Sequence, residues 1–373
     1  MEHAESIAFV QEKFSAFYSN RDLAVPDVHK REFGFGTHKK IDFRHKAFRT
    51  SAELNAYIRQ NAPLFASYST ALYEFPDARP MERKVFMGSD LVFDIDAPTH
   101  SFAHEHNEIF CVECFGRVKK DSVRIMDYLR DDFGFKGVSL NYSGNKGFHF
   151  HLRSDEIRSL SQDSRRQLTE YLTGPESLFI AGEEKGKDTE LRGPSEKSFG
   201  WGKKFFDHAF AFVEGASLGE LKEKGLRGRG AEEFFLKKKT VLELMRKGKW
   251  AFAPKKFWDA LYAEFKGENG VGVDAHVTLD LARLIRIPGS LHGETALCAR
   301  VVDAERLPEF SLRECVVFSS EKTINILPQI DIALDFPERL FLKKNEPCEV
   351  SLASGLFLLC KGKATLLLRE KTW

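Results

Sequence analysis

The chain has 373 residues, with 56 Lys and Arg against 55 Asp and Glu; this near-neutral balance excludes a polybasic protein that coats nucleic acid, and the length allows two or three domains with large cores. Six cysteines, of which only Cys111 and Cys114 stand close together, exclude a disulfide framework and point to a reducing compartment. The N-terminus, with Glu2 and Glu5, lacks a signal-peptide pattern and no apolar run approaches membrane-spanning length, so a soluble cytoplasmic protein without membrane contact is expected.

Taken in order, Ile7, Phe9, Val10, Phe14 and Phe17 have helical spacing and predict a helix over Ala4 to Tyr18. Residues 31 to 48 alternate like strands, with Phe33, Phe35, Ile41, Phe43 and Phe48 as the expected buried set and Arg31 and Arg44 among them. Residues 51 to 73 read as a helix that begins after a Ser or Thr cap and is kinked or broken at Pro63. Phe is abundant, at 34 residues, which suits an aromatic interior and could also supply base-stacking surfaces.

Leu-Val-Phe-Asp-Ile-Asp-Ala, residues 91 to 97, is an apolar run whose β-branched and aromatic content favours a strand. Residues i and i+2 of a strand share a face, so Asp94 and Asp96 project together while Phe93 and Ile95 pack behind. Two parallel carboxylates repel; if buried they share a proton or a cation, and if they stand at a strand end in water they need neither. Next comes His104-Glu-His106, followed by Cys111-Val-Glu-Cys114, and a Cys-x-x-Cys preceded by two closely spaced ligands is the pattern of a structural zinc knuckle. Lys119 to Phe133 reads as an amphipathic helix ending before Gly134, and Gly137 to Tyr142 as a strand.

Ser143-Gly144-Asn145-Lys146-Gly147 offers a hydroxyl, backbone amides and an ammonium on a loop whose glycines permit close approach, which suits a polyphosphate. Phe-His-Phe-His-Leu then alternates, putting His149 and His151 on one face and Phe148 and Phe150 on the other. Residues 155 to 173 predict a polar helix, and 203 to 265 mix Lys, Glu, Phe and Leu at helical spacing, interrupted at 225 to 230. Lysine clusters such as Lys203-Lys204, Lys237 to Lys239 and Lys255-Lys256 either hold a template backbone or are solvated faces. In residues 273 to 293, Asp274 could supply a third metal carboxylate, and Arg283, Arg286 and His292 are donors for phosphate oxygens. Beyond 300, Ser351 to Glu370 reads as either strand or helix with breaks at Gly355 and Gly362.

Together VFDIDA, SGNKGFHFH and VDAHVTLDLARLIRIPGSLHG, with Arg31-Glu32-Phe33-Gly34-Phe35 upstream, resemble the small catalytic subunit of archaeal and eukaryotic DNA primases, the archaeal form most closely, over roughly residues 30 to 300. The resemblance implies an α/β (α+β) fold: a primase-polymerase core with an RNA-recognition-motif-like sheet, an N-terminal α/β layer, a zinc knuckle and a helical insertion. The core would take residues 1–153 and 266–373, with the zinc-knuckle loop at 100–114, and the mainly helical insertion 154–265. It implies template-directed primer synthesis on single-stranded DNA, with Asp94, Asp96 and Asp274 holding two Mg²⁺ or Mn²⁺ ions. Asp274 is preferred to Asp280 because the family's third Asp lies eighteen residues before the His of the SLHG motif, here His292.

Nucleotide contacts would come from Ser143, Gly144, Lys146, His149, Arg286, His292 and, at the REF segment, Arg31. His104, His106, Cys111 and Cys114 would hold the zinc, with His104 replacing a Cys usual in the family and His100 as the spare ligand. A primase large subunit is the implied partner in a heterodimer, and NTPs the substrates, with dNTPs left open. Glu294 stands where archaeal relatives usually continue SLHG with Lys, so a cation from elsewhere compensates or affinity is lower. Among rivals, a DxDxT phosphatase needs Thr or Val where Pro98 stands. A repair primase-polymerase like that of bacterial end-joining ligases shares the DxD and SGxxGxHxH logic, but lacks support from the zinc-like stretch and the SLHG segment. A non-catalytic nucleic-acid-binding module on the same fold is opposed by the presence of all three Asp.

Overall fold

The run at 91 to 97 forms the strand Leu91–Asp96, paired antiparallel with Gly147–Leu152 so that Asp94 lies opposite His149 and Asp96 opposite Gly147. A computed structural model of the chain describes residues 2–97, 109–181 and 191–367. Gly147–Leu152 pairs in turn with Ser139–Tyr142, and that strand with Val301–Val302, giving an antiparallel four-stranded sheet. Directly opposed residues share a face. One face therefore carries Asp94, His149 and Asn141, and the other Phe93, Phe150 and Leu140. The apolar face is covered by the helix Val112–Asp127, whose Phe115 ring lies 5.6 Å from Phe148 and 5.7 Å from Tyr142.

A second antiparallel sheet is built from Leu284–Arg286, Phe65–Ser69, Phe33–Gly36 and Phe43–Lys46 in that order. Phe33, Phe35 and Phe48 are buried as expected and pack together, with the Tyr57 ring 4.8 Å from that of Phe35 and 5.4 Å from that of Phe48. Ile41 and Phe43 are 39% and 43% exposed instead, because a register shift in the pairing with Phe33–Gly36 disturbs the alternation that the sequence suggested. Thr50 caps the helix Ser51–Asn61 by accepting from the Glu53 amide. Ala62 takes a left-handed conformation before Pro63, and the chain continues as strands Phe65–Ser69 and Ala71–Tyr73. The expected helix to residue 73 is thus corrected: it breaks before Pro63 and does not resume, because Phe65–Ser69 pairs with the Phe33–Gly36 strand and Ala71–Tyr73 with Phe86–Ser89.

Other boundaries also move. The helix predicted from Lys119 starts at Val112, the helix predicted over 155 to 173 is two pieces, Asp155–Arg158 and Gln162–Thr173, and Gly355 sits inside the helix Leu352–Cys360. A Cβ at Gly355 would come within 2.4 Å of Ile324, so this glycine serves close packing rather than a break. Only Gly362, at φ +63°, ends that helix, before the strand Ala364–Leu366.

The chain divides into two compact units, one of residues 1–126, 136–166 and 273–373, the other of residues 127–135 and 167–272. The second unit is mainly helical, with Gly200–Gly215, Gly228–Leu236, Lys238–Arg246 and Lys255–Asn269 among its helices. Its core is aromatic: Trp250 and Trp258 are fully buried with ring centroids 4.7 Å apart. Within its lysine clusters, Lys237 pairs with Glu233, Lys255 with Asp259 and Lys203 with Asp207. Mixed helices and antiparallel sheets make the fold α+β, and among the described residues no helix is long and apolar enough to cross a membrane.

Candidate active site

The polar face of the Leu91–Asp96 strand opens into a cleft of about 450 Å³ within the first unit. Asp94, Asp96, Asp274, Ser143, His149, Arg286 and His292 all border it, as do Lys40, Asp280 and Arg283. The sheet places the first two Asp and His149; Asp274 arrives by a different device. It caps the short helix Ala275–Leu279, accepting from the His276 amide at 2.8 Å, while its own amide donates to the Asp94 carbonyl at 2.9 Å. The Thr278 hydroxyl, donating to the Val92 carbonyl at 2.9 Å, fixes the same helix to the strand. Asp280 accepts instead from the Ala282 amide and feels Arg44.

This convergence is electrostatically costly. Burial, and after it the Asp274 carboxylate, pushes Asp94 up to about 7; burial and Asp94 push Asp96 up to about 6. The Asp94 Oδ1 is buried and has no hydrogen-bond partner, although the His149 Nε2 stands 3.5 Å away. Burial holds His149 down to about 4, so its imidazole is neutral at physiological pH. An orphaned buried oxygen among three carboxylates fits a bound cation. Among the described residues no three His, Cys, Asp or Glu side chains are already gathered into a metal cage, so the three Asp would close further onto an ion.

The glycine loop lies against the carboxylates because its glycines allow nothing bulkier. A Cβ at Gly147 would stand 1.8 Å from the Ile95 carbonyl oxygen and 2.3 Å from an Asp96 carboxylate oxygen. Gly144 has φ +86°, and a Cβ there would come within 2.9 Å of the His292 Cβ. The Ser143 hydroxyl accepts from the Asn145 and Gly147 amides at 3.4 and 3.3 Å, which shapes the loop. Lys146 is close enough to Asp96 to favour its ionised form. Burial lowers Arg286 to about 10, with its guanidinium 5.7 Å over the Phe65 ring. His292 accepts at Nδ1 from the Glu294 amide at 3.0 Å, leaving Nε2 to carry the proton of the neutral ring.

Two sets of expected residues are placed differently. Arg31 does not border the cleft: it is fully buried, donates to the Ser69 and Thr70 carbonyls, and pairs with Asp90 at 2.7 Å. The structure thus places Arg31 in an ion cluster with Asp90, Arg153 and Arg158 and not on the lining of the cleft. Of the zinc ligands, His104 and His106, with the spare His100, lie outside the described residues. Cys111 and Cys114 frame the start of the helix Val112–Asp127, the Cys114 amide donating to the Cys111 sulfur at 3.4 Å. Burial pushes the Cys114 thiol up to about 11.

Sequence reasoning missed Lys40 and Asn141. Lys40 comes from the loop after Phe33–Gly36, where nothing in its spacing marks it as a site residue. Asn141 stands opposite His149 with both side-chain polar atoms buried and without hydrogen-bond partners, a position visible only once the strand register is known.

The same core stretch matches a family model described as the DNA primase small subunit, over residues 93–304. Among curated relatives, the DNA primase small subunit PriS of Methanosarcina barkeri is 30% identical over 95% of both chains. That of Methanothrix thermoacetophila is 30% identical over 97% of this chain and 99% of its own, and that of Archaeoglobus fulgidus 29% identical over 96% and 98%. The match begins on the strand that carries Asp94 and runs past Asp274 and His292, so the cleft and the family agree, and the chain belongs to the DNA primase small subunit family.

Proposed function

We propose that this protein is the catalytic subunit of a DNA primase, making short primers on a single-stranded DNA template by metal-assisted nucleotidyl transfer. The observation that carries the reading is the buried, unpartnered Asp94 oxygen beside Asp274 and a neutral His149. Asp94, Asp96 and Asp274 would hold two Mg²⁺ or Mn²⁺ ions, which when bound lower the pKa of an attacking 3′-hydroxyl and neutralise the triphosphate. Ser143, Gly144 and Lys146 form the loop that receives the phosphates, and the neutral His149 donates a hydrogen bond without adding charge. Arg283 and Arg286, with His292, face the same cleft and stabilise negative charge that builds on the α-phosphate as pyrophosphate leaves. No side chain is required as a nucleophile.

The antiparallel sheet with one helix-covered face is read as the RNA-recognition-motif-like core, and residues 154–265 as an insertion into it. A large subunit as heterodimer partner belongs to the same proposal, as does a structural zinc held by His104, His106, Cys111 and Cys114. Zinc should copurify at about one equivalent and be lost in Cys111→Ser or Cys114→Ser. Metal analysis that finds none in protein purified without chelator would remove the knuckle. The main test is incorporation of labelled NTPs and dNTPs on single-stranded DNA, with Mg²⁺ or Mn²⁺. Template-dependent product is expected, and a protein that binds template yet makes none under any of these conditions would overturn the catalytic reading.

A further inference from the structure

Glu294 follows the Leu291-His292-Gly293 segment at the edge of the cleft, where a carboxylate repels phosphate. Its surroundings, however, are cationic. Its carboxylate accepts from the Asn145 side-chain amide at 3.2 Å and pairs with Lys40 at 3.6 Å. From the other side, Lys361 donates to the Asn145 side-chain oxygen at 3.3 Å. Lys361 stands in the turn after the helix Leu352–Cys360, its ammonium 5.7 Å over the Phe357 ring. It lies within electrostatic reach of both Lys146 and Glu294. Lys40 and Lys361 thus flank one carboxylate and one amide, with Lys146 acting on Lys361 and on Asp96 from nearby.

The geometry also provides room. An open cavity of about 550 Å³ adjoins the cleft, bordered by Lys39, Lys40, Phe65, Glu294 and Lys361, and Lys40 borders both. The cluster carries more positive charge than Glu294 neutralises, and Lys361 is mostly buried, so burial followed by repulsion from Lys146 lowers its pKa to about 8. A further anion would relieve that repulsion. The anion must be one that reaches past the glycine loop from the carboxylates, which suits the outer end of a polyphosphate.

We propose that Lys361 and Lys40 bind the terminal phosphates of the incoming nucleoside triphosphate, with Glu294 holding their place as a tethered anion until the nucleotide arrives. This rests on the nucleotidyl-transfer reading of the cleft. Lys361, brought from near the C-terminus, then provides a cation at the position where Glu294 denies one. Glu294 keeps Lys40 and Asn145 in place in the nucleotide-free protein and yields to a phosphate of higher charge.

The test measures equilibrium binding of ATP and AMP to the full chain in Mg²⁺. Lys361→Ala should weaken ATP binding about ten-fold or more and AMP binding less than about two-fold. Lys40→Ala, at an exposed position, should weaken ATP in the same direction without risk to the fold. Glu294→Gln should tighten ATP binding by a few fold. If wild-type protein binds ATP but Lys361→Ala and Lys40→Ala bind it equally well, the inference is overturned while the reading of the cleft stands. If wild-type protein shows no Mg²⁺-dependent ATP binding, both fall. Should Lys361→Ala not fold, Lys361→Gln and Lys40→Ala carry the same comparison.

Discussion

Asp90 and Asp94 lie four residues apart on one stretch of chain, the first fully buried and the second with one oxygen buried at the edge of the cleft, and their surroundings are opposite. Asp90 is 1% exposed and accepts from Arg31 at 2.7 Å and Arg158 at 2.9 Å, with Arg153 at 3.3 Å. Asp94 has a buried oxygen with no hydrogen-bond partner and a second carboxylate, Asp274, for its neighbour. A buried charge needs a counter-charge. At Asp90 the fold supplies it permanently; at Asp94 it leaves the position open to a diffusible cation. The contrast separates a structural ion cluster from a site, and it accounts for where Arg31 goes.

The sharpest way to break the comparison is to remove the carboxylates. Asp94→Ala, Asp96→Ala and Asp274→Ala should each cut primer synthesis by about 10³-fold or more, the loss expected when several kcal/mol of metal-borne charge stabilisation disappear. Asp280→Ala should stay within about ten-fold, since that side chain caps its own turn and faces Arg44. Labelled-nucleotide incorporation reads all four. A dead Asp280→Ala beside an active Asp274→Ala would reverse the assignment.

Stability should respond in the opposite sense at the two positions. Asp90→Asn leaves three buried or half-buried arginines short of their counter-charge, and should cost ~3–5 kcal/mol in a denaturant titration. Asp94→Asn removes a charge that no hydrogen bond holds in the metal-free protein and that Arg283 and Lys40 offset less than burial and Asp274 oppose, and should be neutral or stabilising under the same conditions. Equal destabilisation by both would mean that Asp94 has a fixed partner and that its cluster is structural as well. A third, smaller effect concerns substrate. His149→Ala and Lys146→Ala should raise the nucleotide KM by about ten-fold, the loss of a charge-assisted phosphate contact. His151→Ala should do less, because His151 is stacked against Tyr68 at 6.4 Å. Unchanged kinetics for His149→Ala would remove it from the nucleotide floor.

The strand Leu91–Asp96 and the alternating Gly147–Leu152 were legible in the sequence because period-two patterning and paired Asp or His residues survive any tertiary context. Asp274 was preferred because the family the sequence resembles places its third Asp eighteen residues before the His of the SLHG motif, and the structure puts it beside Asp94. What the sequence could not carry was pairing between distant segments. Phe65–Ser69 has no strong strand signature of its own and is extended because it lies between Phe33–Gly36 and Leu284–Arg286. Arg31 looked like a site residue since its destination, Asp90, lies 59 positions away. Lys40 and Lys361 could not be connected with Glu294 and Asn145 until four remote segments were brought together.

The smallest expected effect is also the most direct test of why Asp94 is left unpaired. Asp94 is raised to about 7 and Asp96 to about 6 from an ordinary 3.8. A carboxyl raised in the folded state contributes stability that is fully present below the unfolded value and lost as pH rises through the folded one. In magnesium-free buffer, Asp94 should therefore lower stability progressively between pH ~4 and ~7, with the exposed and solvent-screened Asp96 adding less. Bound cation favours the ionised carboxylates and should recover it, so the rise in Tm on adding Mg²⁺ should be larger at pH 8 than at pH 5, by a few degrees for each kcal/mol restored. Asp94→Asn should flatten that difference, since the replacement neither titrates nor attracts a cation strongly. A Mg²⁺-induced shift equal at both pH values, or one untouched by Asp94→Asn, would show that the cation binds elsewhere and that the strain at Asp94 has another purpose.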